Sequence, residues 1–195
     1  AVLAGTGNII LGNHFYQGDN ETAGARRAGI VLTSPNLKTL MTGNYVDNCF
    51  IELSNEHDAT PTFDSEYSFG GLTITGNIFT CNNVGAWFRW IVVSPKGAGH
   101  FVNGLTVTAN AFRTINGSID RIEAVDTTHA MLNAGLFRNV VFEGNTFNGI
   151  TQQTVNPVTV PHTQNTAATT WTVNAAGYLP FGGRARNVTA LVADG

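Results

Sequence analysis

Gly71-Leu72-Thr73-Ile74-Thr75-Gly76-Asn77-Ile78-Phe79 decides the fold, because the chain repeats it. Gly104-Leu105-Thr106-Val107-Thr108-Ala109-Asn110-Ala111-Phe112 is a near copy, and Asn139-Val140-Val141-Phe142-Glu143-Gly144-Asn145-Thr146-Phe147 is another. Upstream, Asn36-Leu37 leads to Met41-Thr42-Gly43-Asn44-Tyr45, and Asn8-Ile9-Ile10-Leu11-Gly12-Asn13-His14-Phe15 is one residue shorter. The shared asparagines, at 13, 44, 77, 110 and 145, are separated by 31, 33, 33 and 35 residues. A period of that length signals stacked structural units. Leu72 and Ile74 alternate with Thr73 and Thr75, which is the period of a strand, and no copy shows the three-and-four spacing of a helix. The expected fold is all-β: a right-handed parallel β-helix with about 33 residues per coil. Asn13, Asn44, Asn77, Asn110 and Asn145 are expected to form a structural ladder, each side-chain amide bonding the turns above and below. The glycine or alanine before each asparagine suits a crowded or left-handed backbone position.

Composition agrees with many short strands. Charged residues make up 12% of the 195 residues and hydrophobic ones 43%, with 22 glycines. That is enough for one domain of about six coils. The net charge of -3 offers no basic surface, so nucleic acid is not an expected partner. Apolar runs such as Trp90-Ile91-Val92-Val93 are too short to span a bilayer, so no membrane insertion is expected. The chain begins with Ala1 and enters a repeat almost at once, which reads as part of a longer polypeptide with earlier coils. Cys49 and Cys81 read as small buried residues of neighbouring coils. No Cys/His spacing matches a metal site and no cofactor motif occurs, so neither is expected.

The coils are read over residues 1–160, with 161–195 as C-terminal strands capping the helix. Segments 29–33, 50–53, 86–93, 119–123 and 157–160 are expected to stack as a second sheet. Segments 17–28 and 54–68 read as loops, the second projecting from a face used for binding. Strands at 169–173 and 187–193 would form the cap that an open solenoid end needs.

Two kinds of residue could carry chemistry. Asp120 and Glu123 lie on one short strand around Arg121, and Glu52 lies on the corresponding strand two coils earlier, with Asp47 nearby. A glycosidase needs two carboxyls roughly 5–10 Å apart, and coils stack at about 4.8 Å. Surface ion pairs are the alternative for Asp120, Arg121 and Glu123. Trp87, Phe88 and Trp90, with Tyr67 and Phe69 just upstream, are candidates for a sugar-stacking groove, and Trp87, Arg89, Arg121, Tyr67 and His57 are the candidate carbohydrate-binding residues. Strict alternation would place Phe88, Trp90 and Val92 on one face and Trp87, Arg89 and Ile91 on the other. Trp87 beside Arg89 is the better exposed platform, with core or subunit packing as the alternative. His57, between Glu56 and Asp58, is a candidate base or ligand in the long loop.

The Gly-Asn-x-Phe coils resemble the pectate-lyase-like superfamily of right-handed β-helices, over residues 1 to about 160. The Asn-Thr-Asp, Asp-Asp, His-Gly and Arg-x-Lys motifs of its polygalacturonases do not occur here, so no catalytic residue is carried over. Longer strings carry a closer resemblance: residues 10–19, Asp47-Asn48-Cys49-Phe50-Ile51-Glu52, Ser54-Asn55-Glu56-His57-Asp58, residues 113–121 and Leu179-Pro180-Phe181-Gly182-Gly183. They are similar to the C-terminal part of a β-helix family of marine alphaproteobacteria, their phages and gene transfer agents. That resemblance implies a tailspike-like spike or fibre on a virion surface. It implies contact with acidic or neutral host cell-surface polysaccharide, other virion proteins as partners, and a homo-oligomer. The alternative function is a polysaccharide depolymerase, hydrolase or lyase, and a pure assembly element is the third.

Overall fold

Three parallel sheets wall a β-solenoid, and the chain crosses each wall once per coil. The computed structural model describes residues 1–18 and 28–188. The first sheet holds β2 (Ile9–Leu11), β5 (Thr39–Thr42), β8 (Ser68–Thr75), β11 (Phe101–Thr108) and β14 (Arg138–Glu143). The second holds β3 (His14–Tyr16), β6 (Tyr45–Asp47), β9 (Ile78–Asn82), β12 (Ala111–Ile115) and β15 (Thr146–Asn148). The third holds β1 (Val2–Leu3), β4 (Ala28–Leu32), β7 (Phe50–Ser54), β10 (Ile91–Ser94) and β13 (Glu123–Val125). Each sequence copy is therefore split by its Gly-Asn turn between the first sheet and the second.

Register puts like side chains above one another. Ile10, Met41, Ile74, Val107 and Phe142 form one inward column. Phe15, Val46, Phe79, Phe112 and Phe147 form another. The Phe79 and Phe112 rings stack at 4.7 Å, and those of Phe112 and Phe147 at 5.9 Å. Burying one such ring contributes roughly 1.5–3 kcal/mol, so the interior columns dominate the stability of the stack.

Left-handed residues recur at equivalent places in successive coils. At the first-to-second corner these are Gly12, Gly43, Gly76, Ala109 and Gly144, with φ between 54° and 67°. The asparagine that follows aims its amide along the stack. The Asn77 backbone N–H and side-chain amide both donate to Asn110 Oδ1, at 2.9 and 3.0 Å. Asn44 donates in the same way to Asn77 Oδ1, both at 2.9 Å. Asn13 bonds Asn44, and Asn110 bonds Asn145, by the same pairs. Each inner amide also reaches a main-chain carbonyl of the preceding coil: Ile10 for Asn44, Met41 for Asn77 and Ile74 for Asn110. The second-to-third corner uses left-handed asparagines, Asn48, Asn83 and Asn116. Where the chain enters the first sheet, Gly7, Lys38, Gly71, Gly104 and Asn139 are left-handed, the last three inside β8, β11 and β14. A Cβ on Gly71 would sit 3.0 Å from the Lys38 backbone nitrogen, which explains the glycine.

Several strands differ from the sequence expectation. Segment 86–93 enters the third sheet only at Ile91, and 119–123 only at Glu123. The residues before each of these strands turn the corner from the second sheet and pair irregularly. Segments 157–160 and 169–173 are not strands; among the described residues none follows β15. Of the 17–28 loop, residues 19–27 lie outside the described residues, as does most of 187–193. Leu179 and Pro180 are buried, and the Phe181 ring lies 6.0 Å from that of Phe142.

Candidate functional site

The outer face of the third sheet carries a cleft of about 320 Å³ lined by Phe50, Glu52, Glu56, Val92, Ser94, Lys96 and Asp126. Its columns follow from strand register. Ile51, Leu53, Ile91 and Val93 point inward and are buried, so Glu52 and Val92 pair on the other side of the sheet, as do Ser54 and Ser94. The Asp126 N–H donates to Val93 O at 2.8 Å and continues the ladder past β13. Glu56 and Lys96 come from the two loops, 55–67 and 95–100, that leave β7 and β10. Asn55 fixes them to each other, its Oδ1 accepting from the Lys96 N–H at 2.7 Å.

Asp126 is held ionised. The Thr128 hydroxyl donates to its Oδ1 at 2.6 Å and keeps the carboxyl below the usual carboxylate range. The Thr128 N–H, the Ser94 hydroxyl and the Lys96 charge act the same way, against burial. The cleft thus combines three carboxylates, an ammonium and a hydroxyl over Phe50 and Val92. Such a surface can bond hydroxyl groups through its polar side chains and cover the C–H face of a sugar ring with Phe50 and Val92.

Of the residues singled out from the sequence, Glu52 lies in this cleft. Glu123 does not. It takes the inward position in register with Ile91 and Ile51, and its side chain has no exposure. Its carboxylate accepts from Arg121 Nε at 2.7 Å, the Thr154 hydroxyl at 2.5 Å and the Phe181 N–H at 3.2 Å. Arg121 donates in turn to Gly177 O and Leu179 O, each at 2.7 Å. The pair is a buried clamp on residues 177–181. Asp120 is exposed and paired with Arg89. Asp47 stands on the outer face of the second sheet, where the Thr80 hydroxyl donates to it at 2.8 Å. The structure therefore does not bring Asp120 or Asp47 together with Glu123 and Glu52.

Trp87 is 36% exposed and lies edge-on to Phe88 at 5.7 Å. Arg89 folds back to donate to Ala86 O and Phe88 O. Phe88 and Trp90 are buried together, but Ile91 is buried as well and Val92 faces out, because the strand alternation starts at Ile91. The Tyr67 ring packs on His100 at 4.8 Å. His57 lines a second cleft at the third-to-first corner with Asp58, Glu66 and Lys38. Cys49 and Cys81 are free and buried, and burial pushes the Cys49 thiol up to about 11. Among the described residues, no three His, Cys, Asp or Glu side chains converge as a metal site.

Ser94, Lys96 and Asp126 were not found by sequence reasoning. A usable signal exists: Ile51-Glu52-Leu53-Ser54, Ile91-Val92-Val93-Ser94 and Glu123-Ala124-Val125-Asp126 are three copies of one strand. Loops of unequal length separate them from the asparagine repeat and hide the alignment. The chain matches no protein-family model, no curated protein and no solved structure.

Proposed function

We propose that the chain is the β-solenoid of a virion spike or fibre that binds a host cell-surface polysaccharide through the third-sheet cleft. The observation that carries this reading is the cleft: hydroxyl-bonding groups lie beside Phe50 and Val92 on the outer face of the stacked coils. The resemblance of residues 10–19, 47–52, 54–58, 113–121 and 179–183 to spike proteins supports it. Three carboxylates against one lysine favour a neutral or amino-bearing glycan over a polyuronate, because like charges repel at close range. On this reading the protein stands on the particle exterior as a homo-oligomer attached to other virion proteins.

A depolymerase is the second reading, favoured by the shared cleft of Glu52, Glu56 and Asp126. An ionised Asp126 suits a base or nucleophile, and Glu52, two strands away on β7, suits an acid. One experiment separates the two. Purified protein is incubated with host capsular polysaccharide, and polymer size is followed by gel filtration. Co-elution without shortening is the expected result for a binding spike. Shortening that Asp126→Asn abolishes would establish the enzyme. Neither co-elution nor shortening would overturn both.

A further inference from the structure

His100 is fully buried at the entrance to β11, between the rings of Tyr67 at 4.8 Å and Phe69 at 5.5 Å. Its Nε2 is bonded to the side-chain amide of Asn55. The orientation of that amide is fixed by two other bonds. Asn55 Oδ1 accepts from the Lys96 N–H at 2.7 Å, and Asn55 Nδ2 donates to Asp58 O at 3.0 Å. The NH2 end therefore faces the imidazole, and Nε2 must accept. His100 is then neutral, with its proton on Nδ1, and Nδ1 has no partner among the described residues.

A second proton cannot be accommodated. It would set an Nε2–H against the Asn55 NH2 group, donor against donor, and place a charge in a buried site. Turning the amide over would sacrifice the bonds to Lys96 and Asp58. Tyr67 is the titratable group against the ring. Asp58 and Lys96 reach Asn55 through their main chains, and Asp126 is engaged by Thr128 and Ser94. Burial alone holds the imidazole below its ordinary value of 6.5.

The pair joins three loops of one flank. Asn55 opens 55–67, His100 closes 95–100, and His100 O accepts from the Asn133 N–H of 126–137 at 2.7 Å. These loops carry Glu56, Lys96 and Asp126 of the cleft, and His57 and Asp58 of its neighbour. We propose that the His100–Asn55 pair is an acid-released latch that holds the third-to-first loops, and with them the cleft rim, in place. The latch is fully closed above about pH 6.5. It loosens as pH falls toward the depressed folded value, because the open state binds the proton more readily. Its consequence for glycan capture rests on the proposed function; the latch itself does not.

The test uses the full chain without glycan. Imidazole NMR should show His100 as the Nδ1–H tautomer at pH 7.5. Amide exchange in 55–67 and 95–100, corrected for intrinsic rates, should rise about tenfold at pH 5.5, one unit below the ordinary imidazole value. His100→Gln, whose carbonyl can accept from Asn55 without titrating, should keep both loops protected at pH 5.5. Equal loosening in His100→Gln, or wild-type loops as protected at pH 5.5 as at pH 7.5, would overturn the latch. If His100→Gln does not fold, the wild-type titration decides: a His100 that takes up its proton without any change in loop exchange refutes it.

Discussion

At the first-to-second corner every crossing takes two residues: 12–13, 43–44, 76–77, 109–110 and 144–145. At the third-to-first corner the crossings run over 4–8, 33–38, 55–67, 95–100 and 126–137. Only the first corner turns every coil through a left-handed residue, and only it keeps its length. The amide ladder is the physical reason. Each inner asparagine bonds the coils on both sides of it, so every rung must arrive at the strand spacing. The other flank carries no continuous ladder. Its loops face solvent, where added length costs only slowly growing closure entropy, and they supply rim groups of both clefts. Constant length marks the scaffold here, and variable length marks the candidate site.

That contrast can be broken most sharply by insertion. One glycine placed between Gly76 and Asn77 should prevent cooperative folding, because it throws one rung out of the ladder. The same glycine between Thr62 and Phe63, two exposed residues of the 55–67 loop, should cost less than about 1 kcal/mol. Circular dichroism and urea melts of the two variants make the comparison, and similar losses would end the distinction.

Asn77→Ala comes next. It strips acceptors from the Asn44 N–H and amide and a donor from Met41 O. Each buried group left unpaired costs about 1–3 kcal/mol, so a loss of about 3 kcal/mol or more is expected. Asn13→Ala at the exposed end of the ladder should cost about 1 kcal/mol or less. Equal urea midpoints would refute the ladder as a source of stability. Asn20, in the polar loop, lies outside the described residues and offers no structural control.

The left-handed corner itself supplies a smaller, signed effect. A Cβ on Gly76 has room, its nearest neighbour being Thr42 Oγ1 at 3.8 Å, so Gly76→Ala tests φ alone. A loss of about 1 kcal/mol is expected. Ala109→Gly is the reverse change at φ 54° and should stabilise by up to about 1 kcal/mol. Thermal melts that move in the same direction for both would contradict the strain argument.

The smallest effect on stability belongs to the cleft. Lys96→Ala should leave the unfolding free energy from urea melts within about 0.5 kcal/mol of wild type. Polysaccharide affinity should fall about tenfold, the loss of one charge-assisted bond. Unchanged affinity by calorimetry would remove Lys96 from the binding surface.

Much of the scaffold was legible because its determinants are local. Asn13, Asn44, Asn77, Asn110 and Asn145 each sit one residue after a left-handed turn, and Leu72-Thr73-Ile74-Thr75 alternates in plain view. The third sheet was harder. Trp87 to Trp90 are apolar enough to read as strand, yet they turn a corner, and Ile91 begins the ladder by taking Ile122 O as its acceptor. Pairing with another coil, not local preference, made that choice.

Glu123 shows the division most clearly. By itself the sequence determined the parallel β-solenoid, its period and its asparagine turns, because a repeat states the same local geometry five times. It also offered Asp120, Arg121 and Glu123 as one charged cluster. Only the tertiary structure decided that Glu123 points inward beneath Ile91, clamped by Arg121 and Thr154, while Asp120 reaches out to Arg89. Only it gathered Glu52, Ser94, Lys96 and Asp126 into one cleft. Side-chain direction on a short strand depends on where pairing starts, and that start is set by the neighbouring coil, some 30 residues away in sequence.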